Sequence, residues 1–289
     1  MSTREDAAAA PSLPARRRLP RLGFTGWIGA ALVLFWFAMA LFGSFLAPHG
    51  VGEILDADAF EPMSRQYPLG TDYLSRDILS RVLAGTRQTV GITLVATCLA
   101  ALGGSILGLA AAVVGGWLDA CLSRFLDALV SIPSKMFGLL LVAAFGSSIP
   151  ALTLTLAVIY LPGCYRIVRA VGVNVATLDF VTVARARGEG TWYIVRHEVL
   201  PNIIGPMLTD FGLRFVYVLL LLSSLSFLGL GVQPPNADWG SLVRENISGL
   251  AYGAPAVLMP ALAIASLSIG VNLLFDGLFG SRLKRPGDH

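Results

Sequence analysis

Residues 179–202 gather Asp179, Arg185, Arg187, Glu189, Arg196, His197 and Glu198 into a polar island between long apolar runs. Within the apolar runs charge is sparse. Lys135 stands beside a break made by Ser131, Pro133 and Ser134, while Asp210 and Arg214 lie four residues apart on one helical face, where they can pair. Lys135 can snorkel or face an interior cavity. Side chains of these types can dock a partner, as in the island, or line a polar path or gate, for which Ser131, Ser134, Lys135, Asp210 and Arg214 are the candidates. They do not make a catalytic site, because no nucleophile–base constellation and no HExxH occurs. Cys98, Cys121 and Cys164 have no CxxC spacing and read as small buried or lipid-facing residues, and His49, His197 and His289 are scattered, so no metal set is expected. GxxxxGK[ST] is missing too, so the chain cannot cradle ATP phosphates itself.

The island has its own local logic. Asp179 can cap a short helix over 180–187, its carboxylate accepting the free N–H groups of the first turn. Gly188 supplies the left-handed residue that ends it. Thr191 can cap a second helix with Trp192, Val195 and Val199 on one face, and Pro201 ends or bends that helix. The expected product is a helix–Gly–helix knob shaped to fill a groove in another protein. The plainer alternative is an interfacial loop whose arginines only set topology.

The elements that must position these groups are spelled out by composition. With 55% hydrophobic residues, 13% charged residues and a mean hydropathy of +0.71, the chain calls for lipid as its solvent. Six apolar runs, at about 24–47, 88–114, 122–146, 149–171, 204–229 and 255–279, reach or approach the ~20 residues a helix needs to cross ~30 Å of hydrocarbon. Lipid offers no partner for backbone groups, so the fold class is all-α. The first run is preceded by Arg16, Arg17, Arg18 and Arg21 as a signal peptide would be. At 24 residues it is too long for an h-region of ~7–15 residues and is expected to stay as a span. With the N-terminus cytoplasmic, 14 of the 21 basic residues fall inside or at the inner interface, which places both termini inside, residues 48–87 and 230–254 outside, and residues 172–203 inside. The net charge of +3 is therefore a topology signal and calls for no nucleic acid.

Two segments on the outer side remain. In 67–87, Ile78, Leu79, Val82 and Leu83 form an apolar stripe while Arg76, Asp77 and Arg81 face away, the pattern of an interfacial helix or of an extension of the second span. In 226–240, glycines and the Pro234-Pro235 pair break the helix, and Trp239 is expected at the headgroup level. Gly104 and Gly108 permit a close helix approach within the second span.

Taken together, the Ala184-Arg185-Ala186-x-Gly188 island, Tyr67–Arg87, Ser226–Gly240 and Asn272–Gly277 resemble the C-type permease subunit of dipeptide, oligopeptide and nickel importers of the ATP-binding-cassette (ABC) class. The resemblance covers residues 67–280. It implies a type I (MetI-like) permease fold of six transmembrane helices: a tail 1–23, a first span 24–47, an outer loop 48–87 with an interfacial helix, a permease domain 88–280 and a tail 281–289. It further implies that residues 179–202 are the ATPase-coupling loop, carried by Thr182, Ala184, Arg185, Ala186, Arg187, Gly188 and Glu189. Thr182 and Val183 stand where the family usually has Glu and Ala, Ser75 replaces a usual Gly, and Phe275 and Phe279 replace a usual Gly and Arg. The implied partners are a second permease, two cytoplasmic ATPase subunits that hold ATP and Mg2+, and an extracytoplasmic binding protein, in a bacterial inner membrane. An ion-coupled secondary transporter and a membrane-embedded enzyme are the alternatives. Both are disfavoured by the few intramembrane carboxylates and the absent catalytic set.

Overall fold

The computed structural model describes residues 23–279. The tails expected at 1–23 and 281–289 lie, apart from Gly23, outside the described residues. Helix α1 (Phe24–Leu46) is followed by an irregular segment, then α2 (Ile78–Val114), α3 (Gly116–Val130), α4 (Ser134–Phe145) and α5 (Ile149–Ala176). Next come α6 (Asp179–Ala186) and α7 (Thr191–Tyr193), which continues through a π turn (Ile194–Val199) into α8 (Leu200–Phe227). α9 (Trp239–Glu245), a 3-10 turn (Ile247–Tyr252) and α10 (Pro255–Phe279) complete the order. Among the described residues the extended pairing is limited to one isolated bridge, Thr71 with Asp77, as the all-α expectation requires.

Five helices are long and apolar enough to cross a membrane, and the sixth expected span, 122–146, is instead a bent pair. α3 and α4 meet at 89° across Ser131–Pro133. Pro133 has no N–H for a helix to use, and Ser131 turns its hydroxyl back onto the Ala128 carbonyl at 2.7 Å. The second span also departs from expectation. It starts at Ile78 rather than 88, so the stripe Ile78–Leu83 is the first part of α2 itself and not a separate interfacial helix. Asp77 caps it, accepting from the N–H groups of Leu79 at 3.3 Å and Ser80 at 3.1 Å.

The bundle is tightened by glycine. A Cβ on Gly104 would lie 2.6 Å from Cys164 Cβ and 2.8 Å from the Leu161 carbonyl, and one on Gly108 would lie 3.0 Å from the Tyr165 carbonyl, so α2 rests directly on the α5 backbone. Phe275 lies against Gly212, which joins α10 to α8 at the position where the family pattern is broken. Ile92, Ala96, Leu152, Leu156, Leu222 and Leu225 form a core of α2, α5 and α8. The helix order leaves two polar ends: residues 47–77 with 228–254 at one, and residues 177–199 at the other.

Candidate functional site

At the second end, the island folds into a knob with a buried underside. Ala184 is buried, and Val181, Ile194, Val199 and Ile203 are buried in packing with Leu109, Val113 and Val168. Each such side chain contributes about 1.5–3 kcal/mol relative to exposure. Gly188 has φ +83°, and its N–H donates to the Arg185 carbonyl at 2.9 Å while Glu189 N–H reaches the Ala184 carbonyl at 3.2 Å, closing α6 as a left-handed C-terminal cap. Arg185 donates to the Val113 carbonyl at 3.2 Å, fastening the knob to the end of α2. Thr182, Arg187 and Ala186 are exposed.

Four expectations for the island are corrected. Leu178, not Asp179, is the N-cap of α6, and Asp179 is its first helical residue, where it still complements the helix dipole. Gly190, not Thr191, precedes the second helix. That helix turns Ile194 and Val199 inward and leaves Trp192 73% exposed, so Trp192 and Val199 do not share a buried face. Pro201 does not end the helix, because the wider π turn falls immediately before it, where its ring would otherwise meet the carbonyl four residues back. The outcome is a knob whose outward side presents Phe180, Val183 and Trp192 beside arginines.

On one face of the bundle, Ser134, Lys135, Tyr160, Tyr217, Ser223 and Ser224 contribute to the wall of an open groove of about 900 Å3, where Ser134 and Lys135 are exposed. A second cavity of about 340 Å3 shares Ser134 and Tyr160 with it and is closed by Arg166, Gly163 and Arg214. Arg214 Nε donates to Asp210 Oδ1 at 3.1 Å, the pair expected from spacing, and the guanidinium lies so close over Gly163 that a Cβ there would sit 2.5 Å from it. Of the candidates, Ser134 borders both spaces, Lys135 the first only and Arg214 the second only; Asp210 enters through its pairing with Arg214, and Ser131, at the end of α3, borders neither. The arginines of α5 are paired with α3: Arg166 with Asp127 at 2.6 Å, and Arg169 with Asp119, which also approaches Ser123 and Tyr165.

At the first end, the two remaining motifs interlock. Asp72, fully buried, accepts from Arg76 Nε at 2.7 Å and Arg81 at 2.7 Å, and Glu245 of α9 accepts from the same two arginines at 3.2 and 2.8 Å. Arg81 is 4% exposed, which corrects its expected outward direction. Trp239 is also buried, not at a headgroup surface. Its indole N–H donates to the Val82 carbonyl at 3.2 Å, its backbone N–H reaches Thr89 Oγ1 at 3.0 Å, and its ring meets Trp36 edge-on. Asp238 caps α9 in a capping box with Ser241, and burial pushes its carboxyl up from the ordinary carboxylate value against the lowering effect of those bonds. Sequence reasoning missed this network. Its one visible signal is that Arg76 and Arg81 sit at the start of the second span within the 67–87 segment, while Glu245 lies just beyond the 226–240 segment.

Residues 104–284 match the family described as binding-protein-dependent transport system inner membrane component. The chain belongs to that family. The permease is 32% identical over 247 residues to a glutathione transport system permease protein of Pectobacterium atrosepticum, an alignment covering 85% of this chain and 82% of that one. It is 30% identical over 257 residues to a dipeptide transport system permease protein of Haemophilus influenzae, covering 87% of each. Among solved structures, the inward-facing MetNI methionine ABC transporter aligns at a TM-score of 0.56 and 15% identity, covering 69% of the permease and 95% of that chain. That likeness shows the MetI-like fold. The permease is therefore a membrane component of an ABC importer, a multi-pass inner-membrane protein that is not itself an enzyme, the ATPase being a separate subunit.

Proposed function

We infer that this permease is one of two non-identical membrane halves of a peptide importer, carrying dipeptides or similar small peptide-like solutes such as the glutathione named for its relative. A second permease completes the path, two cytoplasmic ATPase subunits bind ATP and Mg2+, and an extracytoplasmic binding protein delivers the solute. Both termini are cytoplasmic. Residues 179–202, with Thr182, Ala184, Arg185, Ala186, Arg187, Gly188 and Glu189, are the coupling element.

One observation carries this reading. The knob is footed on the bundle by Val181, Ala184, Ile194 and Val199, yet among the described residues nothing covers Phe180, Val183 and Trp192, which it offers outward. An apolar, aromatic surface rimmed by Arg185, Arg187 and Arg196 is the composition of a protein interface. Glu189 and the arginines take the place of the charge that Thr182 lacks.

The test uses the intact complex. Native mass measurement is expected to find a second, different membrane subunit and two ATPase subunits. A cysteine at position 190, in a chain lacking Cys98, Cys121 and Cys164, is expected to react with an impermeant reagent from the cytoplasmic side alone, and Gly190 has open space for the side chain. Labelling from outside, or full transport by this chain alone under an ion gradient, overturns the reading.

A further inference from the structure

We propose that Arg214, its guanidinium held over Gly163 by Asp210, grips the terminal carboxylate of a peptide as the peptide passes the middle of the membrane. The proposal rests on the importer reading above and names the group on the solute that this chain engages.

Three arginines on the spanning helices hold carboxylates, but not in the same way. Arg166 gives Asp127 both Nε, at 3.1 Å, and Nη2, at 2.6 Å, and Arg169 likewise gives Asp119 its Nε and, at 2.6 Å, its Nη2. Arg214 gives Asp210 its Nε alone, at 3.1 and 3.3 Å to the two oxygens. Among the described residues no other oxygen accepts from its guanidinium, and the Cys164 sulfur beside the pair is a weak acceptor. Both Nη groups therefore keep donors for a second acceptor.

Those donors are desolvated and yet reachable. The Arg214 side chain is 18% exposed and that of Asp210 9%. The enclosed side-chain donors left without a partner among the described residues are Arg81 Nε and three hydroxyls, and neither Nη of Arg214 is one of them, so both meet the 340 Å3 space that Arg214 lines. Gly163 is what lets the guanidinium lie there. A Cβ at that position would sit 2.5 Å from Nη1 and 2.8 Å from Nη2, so any larger residue pushes the guanidinium off the wall.

Depth and shape fit a passing solute. Arg214 is the fifteenth of the 28 residues of α8, about 21 Å along the helix from Leu200, which is the middle of an element that crosses a ~30 Å hydrocarbon layer. The break between α3 and α4 leaves the recess in front of it, walled by Val130 and Ile132 on one side of Pro133 and Ser134 on the other, and no Asp or Glu lines that recess. An arginine that already holds one carboxylate can take a second, as Arg81 of this chain holds both Asp72 and Glu245. Asp210 offsets the charge when no solute is present, which keeps the grip weak enough to release what it takes. Every unmodified peptide carries the terminal oxygen pair whatever its side chains, so one such contact serves a carrier of varied peptides.

The test measures uptake in proteoliposomes holding the whole complex and its binding protein, with Ala-Ala and its C-terminal amide as the two probes. Gly163→Ala displaces the guanidinium without removing it, and the double change Asp210→Asn with Arg214→Gln keeps a neutral pair. Each is expected to lower Ala-Ala uptake about tenfold and amide uptake less than twofold, the scale of one charge-assisted contact, while membrane abundance and binding-protein-stimulated ATP hydrolysis persist. Equal loss for both peptides, or no loss for either, overturns the proposal and leaves the importer reading intact. A second measurement needs no variant and no binding protein. In the wild-type complex, modification of Arg214 by phenylglyoxal, followed by peptide mass analysis, is expected to proceed and to be slowed by millimolar Ala-Ala but not by equal amide, with the exposed Arg65 as the unprotected reference. No modification of Arg214 in the absence of peptide, equal protection by both peptides, or protection by neither overturns the proposal, and this measurement decides alone if a variant loses hydrolysis as well. If stimulated hydrolysis is present but wild type moves neither peptide, the peptide assignment falls first and the grip falls with it.

Discussion

The two polar ends of the bundle handle charge in opposite ways. At the end formed by residues 67–81 and 236–246, Asp72, Arg76, Arg81 and Glu245 neutralise one another in a buried cluster, and Trp239 and Asp238 are fully enclosed. At the end formed by residues 179–202, Arg187 and Arg196 are exposed, Trp192 is 73% exposed, and only the underside is packed. The first end pairs its charges with one another, with Arg81 Nε left as a buried donor without a partner. The second is complete in its backbone and incomplete in its surface. An element that has used its donors and apolar faces internally is built to hold a shape, and one that presents both outward is built to be covered by another protein.

The largest expected effect lies in the charge-paired end. Asp72→Ala leaves Arg81 buried beside a single remaining carboxylate, Glu245, and removes acceptors from the N–H groups of Leu74 and Arg76, so it is expected to destabilise the fold by about 3–5 kcal/mol. A thermal melt of the purified permease checks it, and an unchanged midpoint would erase the contrast between the ends.

Next in size is Gly188→Val. A Cβ at Gly188 meets nothing within 4 Å, so the effect is purely conformational: φ +83° strains a β-branched residue by about 1–3 kcal/mol. Membrane abundance is expected to hold while transport and substrate-stimulated ATP hydrolysis fall together. Wild-type values for both would return the island to a mere topology signal.

The smallest and sharpest comparison sets two aspartates at helix starts against each other. Asp238 caps α9 with bonds to Gly240 and Ser241, so Asp238→Ala is expected to cost about 1–2 kcal/mol. Asp179 makes no cap bond, and Asp179→Ala is expected to cost under about 0.5 kcal/mol, a loss of dipole complementarity alone. Melting midpoints of the two variants, side by side, read the difference. Equal shifts would mean that α6 is capped as tightly as α9.

Much was legible before any coordinates. Apolar run length alone determined that the chain is a bundle of membrane helices, because lipid leaves the backbone no other way to satisfy its hydrogen bonds. The island's place between runs, Gly188 as a left-handed stop, the Asp210–Arg214 pair and the Gly104/Gly108 approach were likewise readable, each being a matter of spacing within one or two turns of chain. What only the tertiary structure decided was which polar groups meet across distance in sequence. Arg81 and Glu245 are 164 residues apart, Trp239 reaches Val82 across 157, and Arg169 finds Asp119 across 50. No local periodicity encodes such meetings. They depend on how α2, α5 and α8 pack, and that packing turned an expected interfacial stripe into a buried seam and moved a headgroup tryptophan into the interior.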